Sequence, residues 1–242
     1  MITPVMEDGK IDEPAVDRIV DFLIAGGVDG IFIMGTTGEG VSVPNFYRQQ
    51  LVSRTVARVK KRAKIYVGIG EAHPEDIVAA NSYLRDGVDV IVSRPPISIN
   101  GDNIFLWYQS LLEKLKGPVI LYNIPAVNQV SIPLDTIESL LGHPRFVGIK
   151  DSENNPARLE ELLHRFGGRK DFSIFIGVGA LMETGMKRGA HGIVPSVGNL
   201  IPEICCEFII SARNSDWTAV SDHFSRMSAV MSLYQKGRTL NE

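Results

Sequence analysis

The sequence predicts an α/β protein of the (β/α)8 TIM-barrel class. Short β-rich runs alternate with amphipathic helical stretches eight times along the 242 residues. The runs are continuously apolar rather than alternating, as expected when helices cover a parallel sheet. The segments AGGVDGIFI, RDGVDVIV and RGAHGIV repeat one local logic: a helix ends at glycine, a short turn follows, and a buried strand begins. An open doubly wound sheet is the competing architecture. Its usual strand count is lower, and its dinucleotide fingerprint is absent here.

The elements follow in order. The first strand is expected at Ile2 to Pro4, with a helix from Glu13 to Ala25. The second strand is Gly30 to Met34, with a helix from Pro44 to Val59. The third is Ile65 to Ile69, with a helix from Pro74 to Arg85. The fourth is Val90 to Ser93, with a helix from Asn103 to Leu115. The fifth is Val119 to Leu121, with a helix near Leu134 to Leu141. The sixth is Phe146 to Ile149, with a helix near Ala157 to Phe166. The seventh is Phe172 to Ile176, with a helix near Ala180 to Arg188. The eighth is Gly192 to Val194, followed by helices near Pro202 to Ala212 and Trp217 to Leu233. No linker or composition shift divides the chain, so residues 1–242 are expected to form one barrel domain with a short helical extension.

Composition narrows the function. Hydrophobic residues make up 44 % and charged residues 22 %, with a formal net charge of −3. A nucleic-acid binder carries a basic excess. The one dense basic run, Lys60, Lys61, Arg62 and Lys64, reads as a solvated helix end. No apolar run reaches transmembrane length and no signal segment opens the chain. The adjacent Cys205 and Cys206 point to different helix faces and suit a reducing compartment. A cytoplasmic protein is expected. The five histidines are scattered and none has ligand spacing with an acidic or cysteine partner, so no metal and no cofactor is expected.

In a barrel, chemistry gathers at the C-terminal ends of the strands. The second strand ends in IMGTTGEG, where Thr36, Thr37 and Gly38 form a glycine-rich turn. Its backbone N–H groups suit a carboxylate; a simple turn and helix cap is the other reading. Glu39 reads as a helix-terminus residue in the first turn after that loop. The fifth strand ends in Tyr122, a candidate proton carrier or else a packing residue. The sixth reads FVGIKDS. Period-two counting puts Phe146, Gly148 and Lys150 on one face, and Gly148 suggests that this face is the crowded interior. A lysine there meets a desolvated environment, which favours the neutral, nucleophilic amine. The alternative is an exposed loop lysine. Arg94 ends the fourth strand and is placed either to bind a carboxylate bidentately or to pair with Asp102.

Together these residues resemble the family that includes dihydrodipicolinate synthase and N-acetylneuraminate lyase. The shared pattern is Thr3-Pro4, Gly35 to Glu39, Tyr122 to Pro125, and Gly148 to Ser152. The resemblance implies a class I aldolase or lyase. Lys150 would form a Schiff base with pyruvate or another 2-keto acid. Thr36 and Thr37 would hold the substrate carboxylate, with Thr37 also in a proton relay with Tyr122. Val194 would present its carbonyl to the keto acid, and Asn199 would support that loop. It also implies a homo-oligomer, dimer or tetramer. The chain ends at Glu242 after roughly one extra helix and starts inside its first strand. Segments that the family carries beyond both ends are therefore expected to lie outside it.

Departures from the family pattern bear on specificity. Val127 stands where the synthase carries an arginine for its second substrate. The segment RPPIS places Ile97, or Pro96, where the synthase has an interface tyrosine. Gly177 to Ala180 lack the acidic residues that read sugar hydroxyls in the lyase. The competing readings are synthase or dehydratase chemistry on the same imine, and a barrel that has lost catalysis.

Overall fold

A computed structural model describes residues 1–70, 73–97, 99 and 101–234, without the side chains of residues 74, 101 and 102. Seven strands follow one another in one curled, wholly parallel sheet. They are β1 (Gly30–Ile33), β2 (Lys64–Ile69), β3 (Val90–Ser93), β4 (Val119–Asn123), β5 (Phe146–Asp151), β6 (Ser173–Ile176) and β7 (Gly192–Ile193). The helices are α1 (Glu13–Ala25), α2 (Asn45–Val59), α3 (Pro74–Asp86), α4 (Gly101–Lys114), α5 (Pro125–Asn128), α6 (Leu134–Leu140), α7 (Pro156–Phe166), α8 (Met182–Lys187), α9 (Pro202–Arg213) and α10 (Trp217–Tyr234). This is the TIM-barrel architecture, with α10 packed against α9 as the C-terminal extension. The expected domain runs to residue 242, but its last eight residues, 235–242, lie outside the described set.

The expected first strand does not form. Ile2 to Pro4 have no ladder partner, and Val5 makes only an isolated antiparallel bridge to Ile11. The segment nevertheless runs beside β1 at the seam of the curled sheet. The Met1 amino group donates to Phe32 O at 2.6 Å, and Ile2 N donates to the Asn199 side chain at 2.9 Å. Thr3 Oγ1 donates to Gly38 O at 2.6 Å. Asn199 also donates to Ser196 O, so it supports its loop as expected.

Two apolar layers fill the molecule. The outer layer joins the strands to the helices and holds most of the buried side chains. The inner layer is small: Val92, Ile120, Tyr122 and Ile124, with Phe32, Tyr66, Val147 and Phe175 packed on them. β5 departs from simple alternation. Its register with β4 slips between Val119 and Ile120, which pair with Phe146 and Gly148. Phe146 therefore does not share the face of Lys150. It turns outward onto Phe172, with ring centroids 5.0 Å apart, while Val147 packs against the inner layer. An extra residue on one strand breaks period-two counting across it.

Several sequence features find local causes. Asp12 caps α1 by accepting from Ala15 N at 2.9 Å, and Asn155 caps α7 through Arg158 N. In the basic run, Arg62 pairs with Asp21 and Lys64 with Asp89, while Lys60 and Lys61 are exposed. Cys205 is buried, Cys206 is half-buried, and both are free thiols. Among the described residues, no helix is long and apolar enough to cross a membrane. The Phe146, Phe172 and Phe166 rings stack β5 and β6 on α7. Phe172→Ala should cost about 3–5 kcal/mol of stability through the cavity it leaves. Urea unfolding of the variant checks this; an unchanged midpoint would contradict the packing account.

Candidate active site

β4 and β5 place the two central residues. In their parallel ladder Tyr122 lies level with Lys150, and Asn123 level with Asp151. Both side chains of the first pair point into the barrel. The Lys150 amine sits 4.0 Å from the centroid of the Tyr122 ring and 5.0 Å from that of Phe32. Lys150 is 8 % exposed and Tyr122 5 %. Lys150 thus belongs to the strand interior rather than to an exposed loop. The aromatic faces give the ammonium partial electrostatic compensation for lost water.

The Tyr122 phenol meets three polar groups. Thr36 Oγ1 is 3.3 Å from its oxygen. Lys150 and Ser152 also reach it. Burial pushes the phenol's pKa up, but the Lys150 charge and the hydrogen bonds from Lys150, Thr36 and Ser152 outweigh burial. The net effect holds the group below the ordinary tyrosine range. Thr36 makes this contact, and the resemblance assigns the relay to its neighbour Thr37. Thr37 is half-buried next to it in the same turn.

That turn after β1 is tightly wound. Met34 and Glu39 both adopt left-handed backbone, with φ of 55° and 50°. Gly40 packs on Met34 so closely that a Cβ there would stand 2.1 Å from Met34 O. Glu39 N donates to Thr36 O, and Gly40 N to Gly35 O. Glu39 is exposed in this turn, and α2 begins only at Asn45. The expectation that Glu39 lies in the first helical turn is therefore corrected; glycines at 35, 38 and 40 extend the loop past it.

Behind the pair lies a buried polar network that sequence reasoning missed. Asn123 donates to Asp151 Oδ2 at 3.0 Å and Glu153 Oε2 at 3.1 Å, and accepts from Ile132 N at 2.9 Å. Arg158 Nε bonds Asp151 at 2.9 Å and lies 3.3 Å from Glu153. Burial raises the Asp151 pKa despite the opposing pull of Arg158, while Ser131, Asn123 and Arg158 keep Glu153 below the usual range against its own burial. Only the i+7 and i+5 spacings from Asp151 and Glu153 to Arg158 were available as a sequence signal, and such spacings are common.

The remaining candidates occupy the rim. Arg94, 8 % exposed, donates through Nη1 to Asn128 Oδ1 at 3.0 Å. Asn128 in turn donates to Pro95 O. The other proposed partner, the Asp102 side chain, lies outside the described residues. Val127 is half-buried against the inner layer and Ile97 is exposed. Val194 lines the same cavity as Lys150. This cavity, of about 330 Å³, runs from Lys150, Phe32 and Phe175 to the gap between β1 and β7, where Cys205 and Cys206 wall it.

The dihydrodipicolinate synthetase family model matches residues 1–240. The chain belongs to that family. It is accordingly a Schiff-base lyase of the class I aldolase type. A 4-hydroxy-tetrahydrodipicolinate synthase of Laribacter hongkongensis is 32 % identical over 89 % of this chain and 75 % of its own length. The crystal structure of dihydrodipicolinate synthase from Aquifex aeolicus superposes with a TM-score of 0.90 at 25 % identity, covering 96 % of this chain and 80 % of that one. YagE, a prophage protein of Escherichia coli solved in complex with pyruvate, shares the fold with a TM-score of 0.91 at 23 % identity, over 97 % of this chain and 80 % of its own.

One glycine guards this geometry. A Cβ on Gly177 would stand 2.0 Å from Ser152 Oγ and 2.8 Å from Lys150 Cε. Both obstacles are ends of side chains that can move. Gly177→Ala should therefore leave the unfolding midpoint nearly unchanged while displacing the amine. Turnover should fall about 100-fold, as small misplacements of reacting groups do. Wild-type turnover in the variant would show that the amine's position is not set there.

Proposed function

We propose that this chain makes or cleaves a C–C bond next to the carbonyl of pyruvate or a close 2-keto acid, through an imine on Lys150. The observation that carries this reading is the Lys150 amine held 4.0 Å over the Tyr122 ring, with the Tyr122 oxygen 3.3 Å from Thr36 Oγ1. Lys150 adds to the ketone to give a carbinolamine. Loss of its hydroxyl as water, with one proton supplied, leaves the protonated imine. That cation is an electron sink for the electron pair of the bond made or broken, without a metal. Tyr122, its phenol held below the ordinary range, exchanges the protons. The turn of Thr36, Thr37 and Gly38 binds the carboxylate, and Val194 borders the bound acid. A homo-oligomer in the cytoplasm remains the expected setting.

Borohydride with pyruvate should leave one reduced pyruvyl group on Lys150, located by peptide mass spectrometry. Lys150→Ala should abolish the adduct and turnover. Tyr122→Phe should slow adduct formation by roughly 10²–10⁴-fold, the span of a positioned acid or base. A screen of keto acids that labels no lysine, or a lysine other than Lys150, would overturn the reading.

The second substrate differs from that of the synthase relatives in this proposal. Val127 offers no charge, whereas Arg94 is buried at the tip of β3 with Asn128 holding one of its nitrogens. A guanidinium fixed in this way suits a carboxylate on the partner molecule. Synthesis of 4-hydroxy-tetrahydrodipicolinate from pyruvate and aspartate semialdehyde should be very weak. A turnover on the order of 1–10³ s⁻¹, ordinary for enzymes, would refute this specificity.

A further inference from the structure

Ser152 follows β5 and lies two residues beyond Lys150, so both residues belong to the same face of the strand. They bracket Tyr122, which is level with Lys150 on the neighbouring strand. The Ser152 backbone is fixed, its N–H donating to Asn123 O at 2.8 Å, and Gly177 N donates to Asp151 O at 2.7 Å beside it. Its Oγ and the Lys150 Cε converge on the space above Gly177, which has no side chain to fill it. The same hydroxyl reaches the Tyr122 phenol. Ser152 is half-buried.

We propose that Ser152 is the relay residue that returns protons between the Tyr122 phenol and solvent, so that one chain supplies the whole hydroxyl path Thr36, Tyr122, Ser152. The proposal rests on the imine reading above. Imine formation consumes one proton per water released, and Tyr122 gives it as the carbinolamine hydroxyl leaves. The phenolate so formed must regain a proton before the next cycle. Thr36 lies in the turn that would be occupied by the substrate carboxylate. Ser152 lies outside that turn, just past β5, and is half-buried rather than enclosed. Its hydroxyl hands its proton to the phenolate and takes one from solvent, ending unchanged. Acting through Tyr122 rather than on substrate, Ser152 is a positioning and relay residue.

Of the groups facing the phenol among the described residues, Phe32 from β1, Thr36 from the following turn, and Lys150 and Ser152 from the β5 end, Lys150 alone carries charge. Removing the Ser152 hydroxyl removes a donor that favours the phenolate, so the phenol must titrate at higher pH. The test compares the full chain with Ser152→Ala and Ser152→Thr. Tyrosine Cζ carbon NMR follows the phenol, with Tyr122→Phe identifying its signal. Ser152→Ala should move the Tyr122 midpoint upward, and Ser152→Thr should restore it. In D2O, Ser152→Ala should exchange the methyl hydrogens of pyruvate, a reaction of many imine cycles per site, at least about 10-fold more slowly at unchanged half-saturating pyruvate, a smaller loss than for a directly acting acid. Ser152→Thr should recover the rate. An unmoved Tyr122 midpoint, or wild-type exchange by Ser152→Ala, overturns the proposal. If wild-type protein traps no keto acid while the midpoint still responds to Ser152, the imine reading fails and the hydroxyl pairing stands.

Discussion

The pairing of β4 with β5 sets what the rest of the site can do. It brings Tyr122 level with Lys150 and Asn123 level with Asp151. The first pair turns into the barrel and the second is tied into a polar cluster behind it. Asp151 is 5 % exposed, so its charge needs partners that compensate for lost water. Asn123, Arg158 and the Glu153 backbone N–H provide them. A buried ionic cluster is a poor source of net stability, since desolvation offsets its attraction. Its value here is geometric. It joins the tips of β4 and β5 to the start of α7, and so limits how far Lys150 can swing from the ring of Tyr122.

Electrostatics follow from that placement. An amine over an aromatic face is stabilised as a cation, and the cation stabilises the phenolate of the same tyrosine. Such proximity of amine and phenol suits a reaction that needs both a nucleophile and a proton for departing water. The surrounding inner layer is apolar and small, which keeps the interaction from being screened as it would be in bulk water.

The turn after β1 makes a different contribution. Left-handed backbone at Met34 and Glu39 is uncommon for side chains of that size. Glycines on either side relieve the crowding and let the loop fold onto the strand tips. The result is a short hydroxyl-bearing segment whose Thr36 touches a residue from β4, across the mouth of the barrel. The same crowding logic explains Gly177 on the opposite side, where Ser152 and Lys150 use the space a side chain would take.

The sequence alone determined the order of strands and helices, because hydrophobic runs and glycine punctuation are local signals. It also singled out Lys150 and Tyr122, since residues at the ends of buried strands converge once a barrel is assumed. It assigned Ile2 to Pro4 to a strand, although strand character depends on backbone partners that composition does not supply. It put Phe146 on the face of Lys150, because counting by two is blind to a register shift created by the neighbouring strand. It did not find Asn128 beside Arg94, nor Arg158 beside Asp151. Those contacts depend on distances between segments far apart in the chain. Only the tertiary structure decided them, because sheet curvature and strand register, not local propensity, fix which side chains meet.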